Sequence, residues 1–486
     1  MPLYLLLLVK MNDIPESNTV KIVDTFTVTD AGIAPHSGLW ANTKANLKWS
    51  TLRAQLMRSP YLLYLPFLLY SAWLIIHDRL PGLHADEIRY VELATNLIHG
   101  YYSPFPENIN LWNGPGYPIL LMPFAALHVP VVYAALINAL FHYLSLVFVH
   151  QALSLVANKK TALVCGLLLG IYPNALSVLP LLYTEAFTAF LVSAFIYSIT
   201  LYYTKKQNKY LLMAGGVLGY LTLTKIILGY VIVICLIICL GMLLFKKNRT
   251  YYVKSATLLL IAFSVTVPYL AYTYYITGKV FYWGNSGGMS LYWMSTPFER
   301  EYGDWKVPSL KNTQYPYIFK SKETAMLLRK NHIKEINFII KNHNAVEQDA
   351  LFKQIALQNI KAHPLKFATN YYYNISRMLF NFPYSYAYQD SAIIGNIIRG
   401  SFMMWASLLG MVLTIYNWRK VIYPVKFILL VTGVYLLLSG ALSAYPRQLD
   451  VVVPVLLFWM GYLIAHTNLL NLKFARKRRI RAVSVI

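Results

Sequence analysis

Apolar residues along this chain come in long unbroken runs rather than in the alternating or half-buried patterns of soluble helices and strands. Runs of near-spanning length predict membrane helices near Pro60–His77, Val131–Ala157, Thr161–Tyr172, Glu185–Tyr203, Tyr210–Thr224 and Ile226–Phe245. Further spans are predicted near Tyr251–Thr277, Ile397–Tyr416, Pro424–Ser443 and Val451–Leu470. The third and fifth are short or interrupted by glycine. Ile119–Leu127, bounded by Pro118 and Pro130, is too short to cross and is expected to dip into the outer leaflet. The pattern therefore predicts an all-α polytopic membrane protein with about ten transmembrane helices.

Polar residues set the direction of threading. Lys159-Lys160, Lys205-Lys206 with Lys209, Lys246-Lys247 with Arg249 and Lys254, and Arg419-Lys420 with Lys426 fall on alternate connections. The tail from Lys473 to Arg481 continues the series. The opposite short connections hold only two basic residues, Lys225 and Arg447. By the positive-inside rule both termini are cytoplasmic, which makes the protein a multi-pass component of the cell membrane.

This gives five parts. Residues 1–59 form a cytosolic segment or precede a true start at Met57, and 60–277 carry seven spans with the first outer loop at 78–118. Residues 278–396 form a small, mainly helical extracytoplasmic domain, 397–470 carry three spans, and 471–486 are a basic cytosolic tail. Within 278–396, Asn344 with Glu347 marks one helix start and Pro364 opens another that runs to about Phe380. The aromatic, glycine-rich stretch Trp283-Gly284-Asn285-Ser286-Gly287-Gly288, with Tyr292-Trp293, is suited either to stacking on sugars or to resting at the membrane interface.

Composition agrees with the pattern. Hydrophobic residues make up 57% of the 486 and charged residues 13%, against roughly 25% charged in soluble domains; the mean hydropathy is +0.47. The net charge of +24 is spent on topology and anionic lipid, not on a nucleic-acid surface. Cys165, Cys235 and Cys239 all lie in apolar runs and imply no disulfide framework.

The candidate chemistry lies in the first outer loop. His84-Ala85-Asp86-Glu87-Ile88-Arg89-Tyr90 is followed by Asn113-Gly114-Pro115-Gly116-Tyr117-Pro118. Asp86 is placed to N-cap a helix with Ile88, Val91, Thr95 and Ile98 on one face and Gly100 at its end. An acidic pair beside a membrane is costly to keep dry, which favours a polar cavity. His84, His99 and Glu87 are the candidates for a divalent metal, but no fixed ligand spacing accompanies them.

Asp86-Glu87-Ile88-Arg89-Tyr90, then Ala94, Leu97 and Gly100, then Gly-Pro-Gly-Tyr-Pro, resembles the first outer loop of the C-type (GT-C) glycosyltransferases, particularly the aminoarabinose-transferase and protein O-mannosyltransferase-like group. Tyr183-Thr184-Glu185, Leu223-Thr224-Lys225, His363-Pro364-Leu365 and Pro446-Arg447 follow in the family's order. The resemblance implies an enzyme that takes a sugar from a polyprenyl-phosphate carrier at the outer membrane face and passes it to a lipid, glycan or protein. It assigns the catalytic role of base or acceptor-orienting group to Asp86, with Glu87 beside it. Asn113-Gly114 stands where aminoarabinose-transferase-like members carry an acidic residue and a lysine, so their donor preference and metal site are not transferred.

Transfer from a polyprenyl phosphate needs a carboxylate for the acceptor hydroxyl and cations for the departing phosphate. Lys225 and Arg447 suit the second task, Arg447 by bidentate contact. Glu185, Arg89, Tyr90 and Tyr117 complete the candidate substrate-binding set, and the expected reaction is inverting. The alternative is a transporter or flippase for a lipid-linked saccharide, which would show midplane breaks and inverted repeats. No convincing repeat is present. A cysteine placed at Lys311 should react with an impermeant thiol reagent applied to intact cells, and one at Lys206 should not. Labelling at 206 would overturn this orientation.

Overall fold

The computed structural model describes residues 59–105, 108–245, 249–306, 322–386, 393–442 and 444–466. The N-terminal segment and the basic tail lie outside them. Among the described residues every regular element is a helix. The chain enters through α1 (Pro60–Leu63) and α2 (Leu65–Asp78), which break at Tyr64 because Pro66 has no N–H to continue the ladder. The first loop contributes α3 (Asp86–Ile98) and α4 (Gly116–Ala126). Next come α5 (Val131–Ala135), α6 (Ile137–Val156), α7 (Lys159–Gly170) and α8 (Pro173–Val178). The long helices α9 (Thr184–Lys205), α10 (Asn208–Thr224), α11 (Ile227–Leu243) and α12 (Arg249–Thr277) follow.

Each run expected to span is helical where it is described, and among the described residues five helices are long and apolar enough to cross a membrane: Val131–Val156, α9, α12, α17 (Ile393–Tyr416) and α18 (Tyr423–Gly440). Helices α2, α4, α11 and α20 (Val453–Ala465) are apolar but shorter. The last predicted span, Val451–Leu470, holds α20; the short helix α19 (Pro446–Asp450) precedes it, with Val451 and Val452 between the two, and residues 467–470 lie outside the described residues.

Helix α9 is the axis of the bundle. It packs against α6 and α10, and 78% of its apolar window is buried, against 17% for the peripheral α17. Three of its buried hydroxyls turn back onto its own carbonyls, Ser193 to Ala189 at 2.7 Å, Ser198 to Ala194 at 2.6 Å and Thr200 to Ile196 at 2.7 Å. Those bonds let these three side chains enter an apolar core with their hydroxyls satisfied.

The segment after α12 builds α13 (Gly287–Met294), α14 (Lys322–Asn342), α15 (Ala345–Ala362) and α16 (Pro364–Phe380). Asn344 and Glu347 form the expected capping box, and Pro364 sits in the first turn of α16 as expected. The aromatic stretch behaves otherwise. Trp283 lies over Gly229 of α11 and is 1% exposed, and Tyr292 and Trp293 are buried between α13 and its neighbours. They are core residues because a glycine beneath Trp283 lets the indole approach the α11 backbone closely.

The glycines of Gly114-Pro115-Gly116 serve the same purpose. A Cβ on Gly114 would lie 2.0 Å from the Leu223 carbonyl oxygen, and one on Gly116 would lie 2.5 Å from Thr224 Oγ1. The first loop is thus pressed onto the end of α10, one residue from Lys225.

Asp86 does not cap α3. Ala85 holds the cap position at a φ of +50°, and Asp86 is the first helical residue, with no side-chain cap bond. The loop is closed instead by Glu87, which is fully buried. Its Oε1 meets Arg79 at 2.5 Å and accepts from Leu182 N at 2.6 Å, while Oε2 accepts from His84 N at 2.8 Å and Arg79 at 3.1 Å. Arg79 also donates to the Pro180 and Gly82 carbonyls. Removing one member of a buried pair costs roughly 3–5 kcal/mol, so Glu87→Gln should melt well below the parent protein in detergent. A melting temperature within a degree of the parent's would reject this anchor.

Candidate active site

Two carboxylates and three cations from four separate stretches of chain meet beside the first loop. Asp86 stands in the first turn of α3 and Glu185 in the first turn of α9, each at a helix end whose dipole favours a negative charge. Lys225 follows the last residue of α10, where the dipole favours a cation. Arg447 lies in the short helix α19.

Arg447 joins the two acids. One guanidinium nitrogen lies 2.9 Å from Asp86 Oδ2, and Nε lies 2.6 Å from Glu185 Oε1. Lys225 Nζ reaches the same Glu185 oxygen at 3.9 Å. Arg89, one turn along α3, pairs with Asp86 Oδ1 and sits over the Trp112 ring at 5.3 Å. Two carboxylates against three cations leave the cluster one positive charge in excess. Burial pulls the Lys225 ammonium below its ordinary value, and Glu185 opposes that pull.

The cluster opens on a cavity of about 610 Å³ whose lining includes Lys225, Arg447, Asn174, Asp450, Tyr384 and Tyr445. Pockets of this size with a few convergent polar groups are typical of small-molecule sites. Arg447 and Lys225 are the members of the cluster that line the cavity, and Asp86 stands behind Arg447.

Of the residues singled out from the sequence, Asp86, Arg89, Glu185, Lys225 and Arg447 come together. The others do not join this cluster. Glu87 is closed inside its clip with Arg79, with no oxygen left for a substrate. Tyr90 and Tyr117 are buried edge to face at 5.1 Å, with Tyr90 Oη accepting from Asn113 Nδ2 at 3.2 Å. They brace α3 against α4. His84 turns to the Pro81 carbonyl and His99 to that of Thr95, so neither converges with Glu87. Among the described residues no group of three or more His, Cys, Asp or Glu side chains could hold a metal ion.

Sequence reasoning missed Asp450 and Asn174. Asp450 accepts from Tyr172 Oη at 2.5 Å and from Asn174 Nδ2 at 3.2 Å, and burial nonetheless lifts its carboxyl above the ordinary range. A signal was available: Asp450 is three residues after Arg447, within one helical turn, immediately before the apolar run of the last helix.

No protein-family model matches this chain, and no curated protein matches it. Solved structures do. The archaeal oligosaccharyltransferase AglB from Archaeoglobus fulgidus, in complex with an inhibitory peptide and a dolichol-phosphate, is 14% identical with a TM-score of 0.44, over 87% of this chain and 52% of its own. An Archaeoglobus fulgidus oligosaccharyltransferase tethered to an acceptor peptide gives a TM-score of 0.43 at 14% identity, with the same coverage. ArnT from Cupriavidus metallidurans, bound to undecaprenyl phosphate, is 14% identical with a TM-score of 0.36, over 82% of this chain and 77% of its own. The chain thus spans about half the length of the oligosaccharyltransferase.

Proposed function

We propose that this protein is a membrane glycosyltransferase that moves a sugar from a polyprenyl-phosphate carrier to a lipid, glycan or protein acceptor at the extracytoplasmic face. The observation that carries this reading is Arg447, a cation on the cavity wall shared between Asp86 and Glu185 with Lys225 beside it. Such a cluster, with one cation in excess, suits a phosphate monoester or diester better than a neutral ligand. The resemblance of the first loop to the C-type glycosyltransferases supplies the same reading from the sequence.

In this reaction the donor phosphate draws Arg447 and Lys225 toward itself. The Asp86 carboxylate is then free to take or orient the acceptor hydroxyl's hydrogen bond. The acceptor oxygen attacks the anomeric carbon on the face opposite the phosphate, and the carbon–phosphate oxygen bond breaks. The proton passes to Asp86, the negative charge leaves on the polyprenyl phosphate, and the anomeric configuration inverts. Arg447 and Lys225 stabilise the departing charge. Glu185 holds both cations in place before the donor arrives. Arg89 keeps Asp86 from swinging away.

Two measurements test this. Lys225→Ala and Arg447→Ala should each weaken binding of undecaprenyl phosphate to the detergent-solubilised protein by about tenfold or more, the loss expected for a charge-assisted contact. Unchanged affinity in both would remove the phosphate clamp. Asp86→Asn should keep undecaprenyl-phosphate binding and lose roughly 10²–10⁴-fold in transfer rate. A folded Asp86→Asn protein that keeps more than about a tenth of the parent turnover would end the assignment of Asp86 as base.

A further inference from the structure

Away from the charged cluster, the same cavity has two walls that the phosphate chemistry leaves unused. One is a carboxylate and an amide. Asp450 Oδ1 accepts from Tyr172 at 2.5 Å, and Asn174 Nδ2 contacts its two oxygens at 3.2 and 3.4 Å. Asp450 forms no ion pair within 4 Å among the described residues; Arg399 donates to Asn174 Oδ1 and acts on the carboxylate only from further away. Oδ2 therefore keeps lone pairs for a ligand, with only the long Asn174 contact on it.

The other wall is aromatic. The Tyr384 and Tyr445 rings lie 5.9 Å apart at 31°, and both residues line the cavity. Their hydroxyls are already committed: Tyr384 donates to Asn381 Oδ1 at 2.5 Å and Tyr445 to the Trp305 carbonyl at 3.0 Å. The Arg377 guanidinium, 5.5 Å from the Tyr384 ring, holds that ring from the protein side. With the hydroxyls tied back, the rings can offer a ligand only their apolar faces.

A ligand that fits both walls has a hydrogen-bond-donating rim and an apolar face. A pyranose or furanose ring has both, its hydroxyls around the edge and its C–H groups on one side. A polyprenyl tail does not fit, because it would strip water from Asp450, Asn174 and their neighbours without replacing it. An acidic sugar does not fit either, since its carboxylate would face that of Asp450.

We propose that Asp450 with Asn174, and Tyr384 with Tyr445, form a subsite that selects an uncharged, hydroxyl-bearing sugar on the donor. Asp450 is its specificity-determining residue. This rests on the reading of the cavity as a donor site, and it adds the class of sugar. Tyr172 and Asn174 are positioning residues that fix the Asp450 carboxylate, and Asp450 takes no part in bond making.

The test compares two probes on the full chain in detergent: undecaprenyl phosphate alone, and undecaprenyl phosphate carrying glucose, galactose, mannose or arabinose. The parent protein should bind at least one glycosylated lipid more tightly than the bare one. Asp450→Asn and Tyr384→Leu should each weaken the best glycosylated lipid by about tenfold and leave the bare lipid unchanged. Bare-lipid affinity doubles as the check on folding, and Tyr384→Leu reaches the pocket from a different element should Asp450→Asn fail to fold. Equal weakening of both lipids, or no weakening of either, would overturn the subsite alone. If the parent does not bind bare undecaprenyl phosphate, the donor reading fails and the subsite falls with it.

Discussion

The fork of Arg447 between Asp86 and Glu185 is the contact on which the site depends. Two carboxylates from helices far apart in sequence meet at one place, each at a helix start, and their mutual repulsion opposes that meeting. A guanidinium resolves the conflict because its rigid, planar set of donors can serve two acceptors at once. An ammonium is a point charge and would have to choose. Lys225, at 3.9 Å from Glu185, adds charge without taking over the bridging geometry.

Holding that fork in place requires three supports, each made from different chemistry. The Arg79–Glu87 clip fixes the start of α3 and hence Asp86. The close approach of Gly114 and Gly116 to the end of α10 fixes the level of Lys225. The third support acts on Arg447 through α16. Asn374 donates to the Gly440 carbonyl at 3.1 Å and to that of Leu442 at 2.5 Å, on the connection between α18 and α19. Its own amide oxygen is held by the fully buried Arg377 at 2.7 Å, which also donates to the Tyr302 carbonyl at 2.8 Å. The segment after α12 therefore governs where Arg447 can stand.

The helices were legible because a near-spanning apolar run has few other uses, and ionisable residues against that background were conspicuous. Lys225, Arg447 and Glu185 were found in this way, although nothing in their spacing said that they share a partner. Asp86 was found for the right neighbourhood and the wrong local reason. An Asp before a helical face looks like a cap, and the sequence holds no sign that Ala85 would take a positive φ and move Asp86 into the first turn. Glu87, Tyr90 and Tyr117 lie in the same first loop as Asp86 and Arg89, and proximity in sequence suggested a shared task. In the fold they face inward, because a loop that presents one charge to a cavity must bury others to stay in place. Trp283 and Trp293 misled for a related reason: an aromatic between glycines suits an exposed platform, and it equally suits dense packing over a backbone stripped of side chains.

The pairing of cations with carboxylates explains why the cluster makes sense as a ligand-free state. Asp86 and Glu185 satisfy Arg447 and Lys225 before any phosphate arrives, so the site pays little for keeping cations beside an apolar bundle. Under the proposed reaction the phosphate replaces one carboxylate contact with another of equal sign, and the desolvation cost of the cations has already been met in folding. Arg447 is 41% exposed at its side chain whereas Glu185 is 6% exposed, which makes the arginine the member able to shift. Glu185 is then the fixed counter-charge, and Asp86 is the carboxylate that changes partner. A single displacement thus binds the leaving group and exposes the acceptor's carboxylate, which ties donor occupancy to the readiness of the base.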